Sequence, residues 1–358
     1  MKILLVKLSS LGDVVHALPV VQDIRAALPG AQVDWVVEKS FAPVLALNTG
    51  LHRIIPCEIR RWRKSPFAAV TRREWGAFRT ALQQDAYDAV IDLQGLTKSA
   101  VVARLARLAP GGKRYALANQ TTGSGYEAPT RWLADVAIRI TPHIHAVQRS
   151  RELTARALGY SLPSSLDFGL NRPLAHMKWA QAATENIAKR VAFVHGTSRA
   201  DKEWPLAHWI TLGQRFNAAG YQIALSHGSA REQATSQAIA DALNASESTN
   251  AIVWPLLPLD ALTQELAQCA GVIGVDSGVS HIAVALDLPH VQLYNFDTAW
   301  RTGPDSASGR QVSVFALPVP TVEAVWQAWL GCLGTVKTSQ TKPSGSLDSF
   351  DQPGRNAA

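Results

Sequence analysis

Apolar runs recur along this chain in a strand-then-helix rhythm, each closed by a polar turn. Residues 3–8 form a compact apolar run of the kind a parallel strand needs when both its faces are covered. Ser9-Ser10-Leu11-Gly12-Asp13 breaks it, and residues 14–28 predict a helix that stops before Pro29-Gly30. Strands are predicted over 32–37 and 89–93, the second running through Gln94-Gly95 into a helix over 97–108. This alternation argues for a doubly wound α/β unit.

A stretch rich in Pro, Ser and Gly follows, and then the rhythm restarts. Strands are predicted over 191–195, 222–226, 251–254, 271–275 and 291–294. Helices are predicted over 207–219, 232–243 and 259–269, then after Ser277, and last over 321–330. The expected organisation is a first domain over 1–165, a linker over 166–185, a second domain over 186–334 and a disordered tail over 335–358, where the chain turns polar. Two such units in tandem put a cleft between the C-terminal ends of their sheets, where ligands of open α/β sheets bind.

Composition narrows the classes. With 358 residues, 47% hydrophobic and 18% charged, two buried cores are the natural expectation. The 35 Lys+Arg against 28 Asp+Glu give a net charge of +7, which favours an anionic partner without naming it. Cys57, Cys269 and Cys332 match no metal or redox spacing, so reduced thiols are expected. The apolar start is too short for a signal peptide and no run is long enough to span a bilayer. A cytoplasmic location with at most peripheral membrane contact follows as the expectation.

The chemistry should lie at the strand ends. The first turn is not G-x-G-x-x-G, which counts against a nicotinamide or flavin enzyme. Asp13, at that turn, either caps the helix or takes a proton from an attacking hydroxyl. In His195-Gly196-Thr197-Ser198-Arg199-Ala200-Asp201-Lys202, the hydroxyls, backbone N–H groups and lysine suit a phosphate. Asp276-Ser277-Gly278-Val279-Ser280-His281 launches a helix whose N-terminus suits a diphosphate. There Asp276 orients the turn or meets a sugar hydroxyl, and His281 reaches phosphate or packs as a structural histidine. Glu232 either complements a helix dipole or accepts from a ribose.

A basic segment interrupts the first domain. From Arg53 to Arg79 eight Lys/Arg face only Glu58 and Glu74. Its core, Arg60-Arg61-Trp62-Arg63-Lys64, is expected to form a lip over the cleft, suited to carboxylates and phosphates. Trp62 stacks on a sugar, dips into a membrane interface, or packs on its own domain, the last being the default.

Four of these stretches together carry a resemblance. Lys7 to His16, Asp92-Leu93-Gln94-Gly95-Leu96-Thr97-Lys98-Ser99, Lys202-Glu203-Trp204-Pro205 and Asp276 to His281, in that order, resemble the bacterial heptosyltransferases over Met1 to about Leu330. The basic segment points to the branch that adds the first heptose. The resemblance implies a GT-B fold of two facing Rossmann-like domains, with no cofactor and no metal. It implies inverting transfer of L-glycero-D-manno-heptose from ADP-heptose to a Kdo residue of Kdo2-lipid A, at the cytoplasmic face of the inner membrane.

By position, Asp13 would be the base, and Thr197, Ser198 and Lys202 would hold the diphosphate with Ser277, Gly278 and His281. Lys202 would also steady the leaving group. Glu232 would meet the ribose and Asp276 the heptose. Ser10, Arg60, Arg61, Arg63 and Lys64 would meet the acceptor. One departure stands out: the family usually carries Arg-Glu where this chain has Tyr126-Glu127. That arginine's duty would pass to Arg131 or the basic lip. The alternatives are an enzyme adding the next heptose, another GT-B enzyme such as a nucleotide-sugar epimerase, or a basic nucleic-acid-binding protein. The last lacks any nucleic-acid motif, so no nucleic-acid partner is expected.

Overall fold

The computed structural model describes residues 1–170, 189–245, 250–305 and 309–338. The first half holds β1 (Lys2–Val6), β2 (Gln32–Glu38), β3 (Arg53–Cys57), β4 (Ala86–Asp92), β5 (Arg107–Leu117) and β6 (Val136–Ile138). The second holds β7 (Lys189–Val194), β8 (Tyr221–Leu225), β9 (Ala251–Val253), β10 (Gly271–Val275), β11 (His290–Tyr294) and β12 (Gln311–Phe315). Each half is one six-stranded sheet, ordered β3-β2-β1-β4-β5-β6 and β12-β11-β10-β7-β8-β9, and the pairings are parallel. Both orders reverse at their centre, between β1 and β4 and between β7 and β10. The loops leaving those four strands carry Ser9–Asp13, Gln94–Lys98, Gly196–Lys202 and Asp276–Gly278, so the expected chemistry stands at the two switch points.

Apolar continuity explains the central strands. Ile3, Leu4, Leu5 and Val6 are completely buried, as are Val272 and Ile273 of β10. The second core is unusually aromatic, with Trp209, Phe193, Phe216 and Trp329 packed edge to face.

Several elements differ from expectation for local reasons. The helix expected over 14–28 is split into Leu11–Ala17 and Pro19–Ala27, because Pro19 has no N–H to continue the first ladder. The helix expected over 97–108 ends at Leu105, and Arg107 begins β5 instead. There Gly111 takes φ +78, and a Cβ on Gly112 would lie 2.5 Å from the Tyr87 carbonyl oxygen. The last helix, Val322–Thr338, continues past residue 334; residues 339–358 lie outside the described residues. Of the stretch expected as linker, residues 166–170 pack back on the first half, with Phe168 buried and its carbonyl accepting from Asn48 Nδ2 at 3.0 Å. Residues 171–188 lie outside the described residues.

The halves meet through the helices Leu11–Ala17 and Gly278–Ala285. A Cβ on Gly12 would stand 2.8 Å from the His281 ring, and one on Gly278 would stand 2.8 Å from Leu11 Cβ. Only glycine allows so close an approach at both positions. Beside this contact a cavity of about 730 Å³ separates the halves, walled by His16 and His145 on one side and His281 and Thr302 on the other.

Candidate active site

Asp13 lies in the first turn of the helix Leu11–Ala17. Its Oδ2 accepts from the Ser10 backbone N–H at 3.1 Å and the Ser10 hydroxyl at 2.9 Å, so the capping role is present. Its Oδ1 faces two cations: Lys7 Nζ at 3.6 Å and an Arg149 guanidinium nitrogen at 3.8 Å. Both cations are buried, while the Asp13 side chain stays 40% exposed. Desolvation alone would raise the carboxyl, but Lys7, Arg149 and the Ser10 N–H outweigh it and hold Asp13 well below the usual carboxylate range. Burial in turn pushes the Lys7 ammonium down to about 8, although Asp13 opposes the shift. The result is a carboxylate ionised at any physiological pH and open to a ligand.

Across the contact stands a second carboxylate, this one buried. Asp276 Oδ2 pairs with Lys202 Nζ at 2.5 Å, and its Oδ1 lies 3.4 Å from His281 Nε2 and from the Thr302 hydroxyl. Burial would raise it; His281 and Lys202 together hold it well below the usual range. The Thr197 hydroxyl reaches the Asp276 carbonyl at 3.4 Å, which joins the two expected phosphate loops. Ser198 is exposed one residue on. Ser277 caps its helix by accepting from Ser280 N–H, leaving the first-turn N–H groups of Gly278 and Val279 at the open end.

His281 serves as a bridge between the halves. Besides touching Asp276, its ring lies 4.1 Å from that of His16, centroid to centroid, and it is buried. Packing is therefore part of its role. Burial, followed by His281 and His145, pushes His16 well below the ordinary histidine value. Glu232 folds back so that Gly228 N–H donates to it at 2.6 Å, and it packs where a Cβ on Gly196 would be. Its helix is capped by Ser229, whose hydroxyl accepts from Glu232 N–H.

The basic segment divides. Arg61 pairs with Glu58 and Glu74, the two acids of the stretch. Trp62 is buried against Trp75 and Phe78, and its indole N–H donates to Glu74 at 2.8 Å, so it packs on its own half. Arg60 lies over the Phe41 ring at 5.8 Å. Arg63 and Lys64 are exposed and form no ion pair among the described residues. Where the Arg-Glu pair is usual, Glu127 accepts from Thr97 N–H at 2.8 Å and Tyr126 packs beside Gly95.

Two residues of the site escaped sequence reasoning. In the sequence Lys7 stands only as part of the strand run over 3–8 and of the Lys7–His16 stretch, and Arg149 lies 136 positions from Asp13 on the helix Ala146–Leu158. A lysine inside an apolar run was the available signal for Lys7; Arg149 offered none.

Two facing parallel α/β halves with their turn loops gathered at both switch points make this a GT-B fold. The family model for Glycosyltransferase family 9 (heptosyltransferase) matches residues 75–325. The chain is 38% identical over 299 residues to lipopolysaccharide heptosyltransferase 1 of Salmonella typhimurium, covering 82% of this chain and 88% of that protein. The same identity holds over 301 residues with the Pseudomonas aeruginosa protein of that name, over 82% and 78%. Among solved structures, the Escherichia coli heptosyltransferase WaaC with ADP superposes with TM-score 0.78 at 34% identity, over 91% of this chain and 98% of that one. The same enzyme with ADP-2-deoxy-2-fluoro heptose gives 0.74 at 35%. This chain belongs to glycosyltransferase family 9, the heptosyltransferases.

Proposed function

We propose that the enzyme transfers L-glycero-D-manno-heptose from ADP-heptose to the Kdo of Kdo2-lipid A, inverting the anomeric centre. It would work peripherally at the cytoplasmic face of the inner membrane. The observation that carries this is the apposition, across one helix contact, of an exposed ionised carboxylate and a lysine-bearing phosphate-type site. The solved relatives that hold ADP and a fluorinated ADP-heptose support the donor; the relatives' names and the unpaired cations Arg63 and Lys64 support an anionic lipid acceptor.

In this reading a Kdo hydroxyl gives its proton to Asp13, and its oxygen forms the new bond to the heptose anomeric carbon. The bond to the ADP oxygen breaks on the opposite face, and its electron pair stays on the diphosphate. Lys202, Thr197, Ser198 and the helix start at Ser277 and Gly278 stabilise that charge. Asp276 turns from Lys202 to a heptose hydroxyl, with His281 behind it, and Glu232 holds the ribose. Ser10, Arg60, Arg61, Arg63 and Lys64 position the acceptor.

Incubation with ADP-heptose and Kdo2-lipid A, read by mass analysis, tests it. The expected product is the acceptor plus one heptose, with ADP released. Preference for an acceptor that already bears a heptose would reassign the enzyme to the second transfer.

A further inference from the structure

Several exposed apolar side chains of the first half lie on segments that supply or adjoin the walls of one groove. Phe67 is 88% exposed and Trp132 is 71% exposed; Val70, Val101 and Leu133 are also open. They belong to three segments around a groove of about 530 Å³, lined by Ile59, Arg63, Trp75, Leu96, Lys98 and Val101 among others. Phe67 and Val70 lie between Arg63 and Trp75, and Val101 is in the wall itself. The turn Ala128–Leu133, bearing Trp132, packs against the helix Thr97–Leu105.

Charge on this face is one-sided. Arg63, Lys64, Arg72, Arg73 and Arg131 are exposed and form no ion pair among the described residues, and Arg131 lies 5.2 Å over the Trp132 ring. The nearby acids are already engaged: Glu58 and Glu74 by Arg61, Glu127 by Thr97. Exposed aromatic rings on segments that also carry unpaired cations suit the boundary between headgroups and acyl chains of an anionic bilayer. The face also leads to the catalytic carboxylate, since Lys98 of the groove wall donates to Ser9 Oγ at 2.9 Å, beside Ser10.

We propose that this face docks the enzyme on an anionic phospholipid surface, with Phe67 and Trp132 entering the interface and Arg72, Arg73 and Arg131 meeting headgroup phosphates. This docking rests on the lipid-anchored acceptor proposed above, but the binding itself needs no acceptor and is tested without one.

The test is co-sedimentation of the full chain with vesicles of phosphatidylethanolamine and phosphatidylglycerol, and with phosphatidylcholine vesicles as the uncharged comparison. Wild type should pellet with the first and not the second, and release as salt rises. Phe67→Glu with Trp132→Glu should weaken binding roughly tenfold or more. Arg72→Gln with Arg73→Gln should weaken it and flatten the salt dependence. Transfer to an acceptor stripped of its acyl chains should be unchanged in both pairs, which separates docking from catalysis. If the glutamates lower the melting temperature, Phe67→Ser with Trp132→Ser reads the same surface. Wild type that stays in the supernatant, or paired variants that bind as wild type, would overturn the proposal.

Discussion

Lys202 and Asp276 neutralise one another across 74 residues of sequence, at 2.5 Å and largely out of water. The cation best placed for a diphosphate is thus held by the carboxylate best placed for a sugar. In the proposed mechanism donor binding exchanges this pair for two ligand contacts. Lys202→Ala should therefore weaken ADP binding by roughly tenfold to a hundredfold, the loss of one charge-assisted contact. It should also leave Asp276 buried without its cation, so the melting temperature should fall. Titration calorimetry and thermal unfolding check both; unchanged ADP affinity would remove Lys202 from the donor site.

Asp13→Ala should lower transfer by about 10²–10⁴ or more while ADP affinity stays close to wild type. Turnover and ADP titration, measured side by side, separate proton removal from binding. Full turnover in the variant would show that another group takes the proton.

Lys7→Met removes the nearer cation facing Asp13 Oδ1. Loss of an opposite charge at that range raises a carboxyl by about one unit or more. The proposed mechanism needs Asp13 ionised, so the acid limb of the kcat/KM profile should move to higher pH. A limb that stays in place would mean that Arg149 and Ser10 alone set the state of Asp13.

The donor loops were legible because each combines a strong strand, a tight polar turn and a helix start; β10, Gly271–Val275, appears with its expected bounds. The elements that escaped lack such signals. β3 carries Arg53 and Pro56, and it pairs with β2 alone at the sheet edge. β5 hides behind Pro110-Gly111-Gly112 and a shift of register, and β6 has three residues. The basic segment was visible as charge, but not its division: that Arg61 takes both acids and Trp62 turns inward depends on Glu74, from the next helix. Lys7 and Arg149 converge on Asp13 only through the tertiary fold.

Acid should destabilise the protein well before most of its carboxylates protonate. His16, His145, His195 and His290 are all held down by burial, His195 and His290 to about 4. Their folded values lie below the unfolded value of about 6.5, so unfolding takes up protons and stability falls as pH drops below that point. Asp92, pushed up to about 6 by burial, and Glu38, also raised by burial, work in the other direction, but they are two groups against four. The denaturant midpoint should be lower at pH 5 than at pH 7.5. An equal or higher midpoint at pH 5 would contradict this assignment.

Gly278→Ala would place a methyl 2.8 Å from Leu11 Cβ, and Gly12→Ala one 2.8 Å from the His281 ring. Overpacking of this kind costs about 1–3 kcal/mol. Both variants should melt at lower temperature, and both should lose transfer more than ADP affinity, because the spacing of the halves changes. Retained melting temperature and activity would show that the helices can part without harm.

That glycine-to-helix contact is also a fulcrum. Gly12 is the neighbour of Asp13, and Gly278 stands two residues from Asp276. Any rotation of one half about this point sweeps the distant rims, Arg63 and the Glu232 loop, through long arcs. Asp13 and Asp276, with almost no lever arm, barely shift. Substrates can then enter and leave through a wide swing while the chemistry keeps its alignment.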